Sequence, residues 1–219
     1  MQDLWTRVDE YFGARLVAGD DALEGALAAN RKAGLPPIDV TPLQGKFLDL
    51  LVRISGARRV LEIGTLGGYS TIWLARALPH GGRIVSLESN DCHAEVAREN
   101  LRMAGVQDCV DLRVGRAIDT LPALVDGEPF DLIFIDADRQ SLADYLKWAM
   151  KLSRRGTVIV ADNVVREGKV LDAESDDPGV EGVRLFTEKL AAEQRLSATV
   201  LQTVGIKGYD GFAIAVVLS

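Results

Sequence analysis

The sequence predicts an α/β fold built on a doubly wound, mostly parallel sheet. Short apolar segments alternate with helical segments between residues 59 and 161, and a glycine-rich turn follows the first apolar segment. Such alternation indicates a parallel sheet with helices on both faces. The chain closes with two apolar segments that are separated only by residues 205–210. Because so short a connection cannot cross over the sheet, the last two strands are predicted to form an antiparallel hairpin.

Length and composition favour one globular domain. The chain has 219 residues, of which 47% are hydrophobic and 26% are charged, and no linker or internal repeat divides it. A single hydrophobic core of this size needs no metal or disulfide to fold. We therefore expect one domain over residues 1–219, with a helical N-terminal cap at 1–55 and a ligand-binding sheet at 56–219.

Charge and cysteine content exclude several classes of protein. The 25 Lys and Arg against 32 Asp and Glu give a net charge of −7, which is unfavourable for gripping a nucleic-acid backbone. No apolar run approaches the roughly 18 residues that span a bilayer, and the N-terminus does not resemble a signal peptide. Cys92 and Cys109 are far apart and form no metal-binding motif. We expect a cytoplasmic protein without nucleic-acid or membrane partners.

The N-terminal 55 residues are predicted to be helical. Leu43, Phe47, Leu50, Leu51 and Ile54 recur at the spacing of one helix face, as do Leu4, Val8, Tyr11 and Phe12. Pro36-Pro37 separates the two helical segments.

Seven strands are expected after this cap. Five lie at 59–63, 83–87, 110–114, 130–135 and 157–161, and the hairpin strands lie at 197–204 and 211–218. Helices are predicted at 69–78, 92–103, 117–124, around 142–150 and at 183–195. Together these elements describe a seven-stranded, Rossmann-like sheet with an antiparallel C-terminal hairpin.

Two acidic residues indicate which kind of ligand binds at the glycine turn. Glycines between a strand and a helix let a ligand approach the backbone closely. Glu62, beside the turn, suits an ammonium group better than a pyrophosphate, and Glu88 ends the second strand, where an acid accepts the two ribose hydroxyls. A ligand with a ribose and an ammonium but no phosphate is S-adenosylmethionine, and the terminal hairpin is typical of methyltransferases.

Polar residues also follow two neighbouring strands. Asp136 comes after the fourth strand, while Asp162 and Asn163 come after the fifth. The carboxyl ends of adjacent parallel strands lie on one side of the sheet, so these three oxygen donors are predicted to converge. Carboxylate and amide oxygens are typical magnesium ligands, so the sequence predicts a magnesium site here.

At this point the sequence resembles the small, cation-dependent O-methyltransferases related to catechol and caffeoyl-CoA O-methyltransferases. The resemblance covers nearly the whole chain and is carried by segments 40–45, 62–70, 115–117, 136–138 and 162–164, together with Glu88 and 209–211.

The resemblance implies a set of site residues. S-adenosylmethionine is expected to contact Val40, Glu62, Gly64, Thr65, Gly68, Ser70, Glu88, Ala117 and Asp136, with the ribose on Glu88 and the adenine beside Ala117. Asp136, Asp162 and Asn163 are expected to hold Mg²⁺, with Mn²⁺ or Ca²⁺ as alternative ions. The resemblance also implies a homodimer formed through the N-terminal region.

Arg139 departs from the family pattern. The family usually has a lysine after the Asp136-Ala137-Asp138 segment, and that lysine serves as the base for the acceptor hydroxyl. A guanidinium stays protonated at any working pH and cannot take over that role. We expect Asp136 and Arg139 to be the catalytic residues, with Arg139 attracting a negatively charged acceptor. Arg116 likewise stands where an acid is more usual.

The resulting prediction is a divalent-metal-dependent O-methyltransferase that acts on a hydroxyl of a small catechol-like aromatic compound. The acceptor pocket is expected between the N-terminal helices and the loop 164–179. An NAD-type oxidoreductase is an alternative, because the glycine turn and Glu88 also suit NAD. A catalytically silent cofactor-binding protein is a second alternative, which Arg139 keeps open. Cofactor-dependent melting temperature and turnover of a catechol distinguish the three.

Overall fold

The computed structural model describes all residues, 1–219, as eight helices around one seven-stranded sheet. The helices are α1 (Gln2–Leu16), α2 (Asp21–Lys32), α3 (Pro42–Ser55), α4 (Tyr69–Ala77), α5 (Asp91–Met103), α6 (Ala117–Thr120), α7 (Leu142–Leu152) and α8 (Pro178–Ala192). The strands are β1 (Arg59–Ile63), β2 (Arg83–Glu88), β3 (Val110–Val114), β4 (Phe130–Ile135), β5 (Ser153–Asp162), β6 (Leu196–Gly205) and β7 (Gly208–Val217). None of these helices combines the length and apolar character that a membrane crossing requires.

The strand order confirms the predicted doubly wound sheet with its closing hairpin. The strands lie in the order β3-β2-β1-β4-β5-β7-β6, and the first five are mutually parallel. β7 is inserted antiparallel between β5 and β6. The strands after β1 are added first on one side of it, as β2 and β3, and then on the other, as β4 and β5. The carboxyl ends of β1, β2 and β4 therefore flank a crevice at the point where the order reverses, which is the usual ligand position in such sheets.

Hydrophobic side chains on both faces of the sheet form the core. Alternate residues of β4 point to opposite faces: Ile133 packs with α7 and α8, whereas Phe134 packs with α2, α3 and α4. Strands covered on both faces read as continuous apolar runs. The rigid sheet therefore fixes the strand ends that carry Glu88, Asp136 and Asp162.

The N-terminal cap contains three helices rather than the two predicted segments. The break that the sequence did not predict lies at 17–20, where the carboxylate of Asp20 caps α2 by accepting the backbone N–H groups of Ala22 and Leu23 at 3.0 and 2.9 Å. An aspartate in this position satisfies N–H groups that have no partner inside the helix. α1 buries none of its residues, and it packs beside α3 and β6.

Two predicted starts, those of α8 and β5, are wrong by four or five residues, and two further boundaries by three, since α8 ends at Ala192 and β7 begins at Gly208. α8 begins at Pro178 rather than at 183, because Asp177 caps it and Gly179 and Gly182 on its buried face carry no apolar side chain to mark the helical period. β5 begins at Ser153 rather than at 157, because its first residues are polar and give no strand pattern. Short 3-10 turns lie at Gln107–Cys109, Leu121–Leu124, Arg139–Ser141 and Arg166–Leu171.

Candidate active site

The turn after β1 lies against the end of β4. Gly64 has a φ of 101°, and a Cβ at this position would lie 2.1 Å from the carbonyl oxygen of Asp136. Only glycine permits both this backbone conformation and this close approach. The turn and Asp136 are further joined by a hydrogen bond from the Asp136 N–H to the carbonyl of Ile63 at 2.8 Å. The glycine turn therefore sets the position of the strand end that carries Asp136.

Glu62 is fully buried behind this turn. Its carboxylate accepts hydrogen bonds from the hydroxyls of Ser70 at 2.6 Å and of Thr71 and Ser86 at 2.5 Å. Burial raises the pKa of Glu62 to about 7, although the three hydroxyls oppose this shift. Glu62 does not line the large cleft, so it acts on a ligand in that cleft through hydroxyl groups: directly through Ser70, and through Ser86, whose oxygen lies 2.5 Å from the hydroxyl of Thr65.

Glu88 ends β2 at the rim of the same crevice. One of its carboxylate oxygens accepts the N–H of Leu66 at 2.7 Å, and the other accepts the N–H of Asn90 at 2.9 Å. His93 Nδ1 lies 3.4 Å from the second oxygen. Because each carboxylate oxygen has a further lone pair, Glu88 can still accept hydrogen bonds from a ligand.

A cleft of about 930 Å³ runs along the carboxyl ends of β1, β2 and β4. Of the residues predicted to bind the cofactor, Val40, Gly64, Thr65, Ser70, Glu88, Ala117 and Asp136 line it. Glu62 and Gly68 do not, since Glu62 lies behind Ser70 and Gly68 precedes α4 on the side that faces Ala97. The volume is within the range of sites that bind small molecules and cofactors.

The predicted metal ligands lie at the ends of β4 and β5. These strands pair in parallel with Ile135 opposite Ala161, so Asp136 and Asp162 follow side by side. Asn163 comes next in the left-handed conformation, with a φ of 56°. No cluster of three or more His, Cys, Asp or Glu side chains is suited to a metal ion, so this set offers two carboxylates and one amide oxygen.

Asp162 is the buried member of the set. Its side chain accepts the N–H of Asn163 at 2.9 Å, and it has no guanidinium or ammonium at ion-pair distance, in contrast to Asp136. Burial, and then the charge of Asp136, raise the pKa of Asp162 to about 7. A buried carboxylate without a cationic partner, beside two further hard oxygen donors, fits a magnesium ion.

Arg139 does not point freely toward an acceptor. Its Nη2 donates to Asp136 Oδ1 at 2.9 Å and to Asn163 Oδ1, while its Nη1 donates to the carbonyl of Ala137. Only 14% of the side chain is exposed. The guanidinium thus joins two of the three predicted metal ligands, a contact that the sequence did not indicate.

A second cavity of about 310 Å³ adjoins the cleft. Nine of its 20 lining residues are hydrophobic, and two of these, Phe47 and Phe212, pack with their ring centroids 4.9 Å apart. Both cavities share Val40, Asn163, Glu167, Lys207 and Asp210, and Asp162 lines the second cavity. The predicted metal ligands therefore lie where the two cavities meet.

The walls of this second cavity agree only in part with the predicted pocket. α3 contributes Leu43 and Phe47, and the loop after β5 contributes Glu167, as expected. Tyr209, Phe212 and Lys207 of the hairpin were not predicted. Their segment reads as a strand and a turn, and only the insertion of β7 beside β5 brings it over the site.

Comparison with known proteins assigns a family to this arrangement. The family model described as O-methyltransferase matches residues 20–215. A catechol O-methyltransferase of Niastella koreensis is 51% identical over 216 residues, covering 98% of each chain. A catechol O-methyltransferase of Mycobacterium tuberculosis is 55% identical over 210 residues, covering 96% of this chain and 94% of that one.

A solved structure gives the same result for the fold. The O-methyltransferase from Bacillus cereus, crystallised in complex with SAH, is 57% identical and superposes with a TM-score of 0.98. The match covers 99% of this chain and 100% of that chain. The similarity therefore includes the helical cap, the sheet and the hairpin.

Proposed function

Since the chain belongs to the O-methyltransferase family and is an S-adenosylmethionine-dependent O-methyltransferase, we propose that it methylates one hydroxyl of a small catechol-like aromatic compound with the help of a divalent cation. The family assignment disfavours both alternatives, an NAD-type oxidoreductase and a silent cofactor-binding protein. The acceptor, the cation and the residues that serve them are the subject of the proposal.

The large cleft is the proposed site of S-adenosylmethionine. Glu88 is placed to accept the ribose hydroxyls, and Ala117 lies in the cleft wall where we place the adenine. Ser70, Thr65 and Gly64 line the part of the cleft nearest the strand ends, where we place the methionine group. Glu62 orients the hydroxyl of Ser70 directly and that of Thr65 through Ser86.

The observation that carries the acceptor proposal is the position of Asp162 and Asn163 between the two cavities. An aromatic ring in the smaller cavity would lie among Phe47, Phe212 and Phe134, and its polar edge would face Asp162 and Asn163. The cofactor cleft begins on the other side of Asn163. A hydroxyl at this junction is therefore close to both the ligand set and the cofactor. The names of the N. koreensis and M. tuberculosis relatives support a catechol.

Asp136, Asp162 and Asn163 are the proposed ligands of the cation. When bound, a divalent ion lowers the pKa of a coordinated hydroxyl and fixes vicinal oxygens. The chain itself supplies position: the parallel strand ends hold the two carboxylates, and the aromatic residues of the smaller cavity hold the ring. Such pre-orientation of reactants supplies a large part of many rate accelerations.

Asp136 and Arg139 are the proposed catalytic residues, because both line the cleft at this junction. Arg139 remains protonated and cannot accept the proton of the acceptor. Its charge favours an acceptor oxygen that carries negative charge.

We also propose a homodimer. α1 exposes Leu4, Val8, Tyr11 and Phe12, and β6 beside it exposes Leu201 and Val204. We call this surface the α1–β6 face. Exposed apolar patches of this kind mark interfaces between subunits.

The proposal is tested by methyl transfer from radiolabelled S-adenosylmethionine to catechol, with phenol as the matched acceptor that lacks the second hydroxyl. We expect transfer to catechol only, loss of activity in excess EDTA, and recovery with Mg²⁺ or Mn²⁺. Asp162→Ala is expected to bind SAH like the wild type while losing turnover. Full activity in EDTA would contradict the proposed dependence on a divalent cation. Equal methylation of phenol and catechol would contradict the proposed requirement for two hydroxyls.

A further inference from the structure

The guanidinium of Arg139 occupies the place at which two proposed cation ligands converge. A single nitrogen of this group, Nη2, donates hydrogen bonds to both Asp136 Oδ1 and Asn163 Oδ1. These oxygens cannot bind a metal ion at the same point while they hold this nitrogen. Occupation of this point by the ion and by Arg139 is therefore mutually exclusive, and the positive charge of the guanidinium disfavours an ion on the remaining lone pairs of these residues.

The backbone that carries Arg139 is held firmly. A Cβ on Gly182 of α8 would lie 2.1 Å from the carbonyl oxygen of Arg139, so α8 packs directly on this turn. Asp138 caps the same turn by accepting the N–H of Ser141 at 3.1 Å, and the hydroxyl of Tyr145 donates to Asp138. Any exchange between the guanidinium and an ion must therefore occur by movement of the Arg139 side chain alone.

Two features favour displacement of the Arg139 side chain from this position. Its Nε is buried without a hydrogen-bond acceptor, which is unfavourable for a charged donor. Arg139 also lines the large cleft, where a rotated guanidinium can be hydrated. Three torsion angles beyond Cβ allow this rotation without displacement of the turn.

We propose that Arg139 is an internal counter-ion of the metal site. Its guanidinium pairs with Asp136 and Asn163 in the cation-free enzyme and is displaced into the cleft when a divalent ion binds. Cation binding is then a competition with Arg139, and loss of the guanidinium tightens it. This inference rests on the cation site of the proposed function.

The test is direct binding of Mn²⁺, measured by the electron paramagnetic resonance of the free ion, in the presence of SAH. Arg139→Met removes the guanidinium, and Arg139→Gln is a second variant that keeps a polar side chain. Arg166→Met is the matched control, because Arg166 lines the same cleft but donates to neither Asp136 nor Asn163. We expect both Arg139 variants to bind Mn²⁺ at least about tenfold more tightly than the wild type, since a charge-assisted hydrogen bond no longer has to break.

Thermal unfolding supplies a second measurement. In EDTA the Arg139 variants should melt below the wild type, because Asp136 has lost its counter-ion, and Mn²⁺ should raise their Tm more than that of the wild type. If the wild type and the Arg139 variants bind Mn²⁺ with equal affinity, the inference is wrong but the cation site is retained. The same conclusion follows if Arg166→Met gains as much Mn²⁺ affinity as the Arg139 variants. If no protein binds Mn²⁺ although all bind SAH, the cation site itself is absent and the inference falls with it.

Discussion

Two buried carboxylates at the strand ends are held by hydrogen-bond donors rather than by cations. Glu62 is surrounded by three hydroxyls, and Glu88 by two backbone N–H groups. Hydroxyls and amides stabilise a carboxylate without neutralising it. Neither carboxyl group is therefore paired with a guanidinium or ammonium group, and the ionised form of Glu62 is carried at a cost to stability.

Replacing Glu62 by Gln is expected to change the pH dependence of stability. The pKa of Glu62 is raised from 4.5 to about 7 by burial. The folded state therefore retains a proton that the unfolded state has lost, and the wild type loses stability as pH rises from about 4.5 to about 7. The loss amounts to at most about 3 kcal/mol at 1.36 kcal/mol per pKa unit. Relative to the wild type, Glu62→Gln should gain stability across this interval in urea unfolding.

The difference between the two proteins isolates Glu62, because every other titrating group is common to both. Glu193→Gln is the matched control, since Glu193 lies on the surface with Arg195 and burial does not dominate its pKa. A stability difference between Glu62→Gln and wild type that is constant from pH 5 to pH 8.5 would contradict the raised pKa.

Glu88→Ala is expected to weaken SAH binding by about 1.5–3 kcal/mol, the range for hydrogen bonds to a charged group. The variant also removes an acceptor for the N–H groups of Leu66 and Asn90, so lower affinity alone does not identify the ribose. Calorimetry with SAH and with its 2′,3′-dideoxy analogue separates the two effects. The wild type should prefer SAH, and this preference should disappear in Glu88→Ala. If Glu88→Ala still prefers SAH to the dideoxy analogue as strongly as the wild type does, Glu88 does not bind the ribose hydroxyls.

Residues at strand ends were predictable because the sheet determines where they lie. Asp136 and Asp162 follow neighbouring parallel strands, so their proximity follows from strand order alone. The direction of the Arg139 side chain was not predictable, because it depends on rotation about side-chain bonds within a short turn. Phe212 was also missed, because its contact with Phe47 requires the hairpin to return over α3.

Among the secondary-structure elements, α8 has a larger role than its sequence suggested. Its N-terminal half contacts the turn of Arg139, and the glycines that permit this contact also obscured the start of the helix. Apolar periodicity reports only buried side chains, so a helix that packs through glycine gives no such signal. The same limitation applies to the polar first residues of β5.

Gly182→Ala is expected to destabilise the fold by about 1–3 kcal/mol, the usual effect of overpacking a tight contact. The added Cβ would lie 2.1 Å from the Arg139 carbonyl oxygen, so α8 or the turn must shift. Gly25→Ala in α2 is the matched control, because nothing lies within 4 Å of its added Cβ. The control should be stabilised by about 0.5–1 kcal/mol through helix propensity. Urea unfolding of both variants checks the prediction, and a stabilised Gly182→Ala would contradict the close packing.

On the scale of the whole molecule, most of the apolar residues that the sequence placed on one face of α1 and of α3 are exposed. Leu50 and Ile54 of α3 are 44% and 81% exposed, while the core face of this helix consists of Gly45, Leu48, Asp49 and Val52. The sequence correctly indicated amphipathic helices but not which partner their apolar faces contact. An unpaired apolar surface is unfavourable in water, and a second copy of the chain offers an identical surface for pairing.

Phe12→Glu is expected to convert the proposed homodimer into a monomer. Phe12 is 46% exposed on the α1–β6 face and packs edge to face on Tyr11 with a centroid distance of 5.2 Å. In a two-fold dimer each substitution occurs twice, so two unpaired charges would be placed in the interface. Burying a charge without a partner is strongly unfavourable, and the dimer dissociation constant should rise by at least about tenfold.

Sedimentation velocity over a range of concentrations measures this change. Met103→Glu is the matched control, because Met103 is an exposed apolar residue, 64% accessible, at the end of α5 and not on the α1–β6 face. The control should sediment as the wild-type dimer. A wild type that sediments as a monomer, or a Phe12→Glu variant that remains dimeric, would show that the α1–β6 face is not the dimer interface. Since α1 also contacts the hairpin through Asp9, whose carboxylate accepts the N–H of Ile206 at 2.8 Å, a dimer on this face would also stabilise the wall of the proposed acceptor cavity.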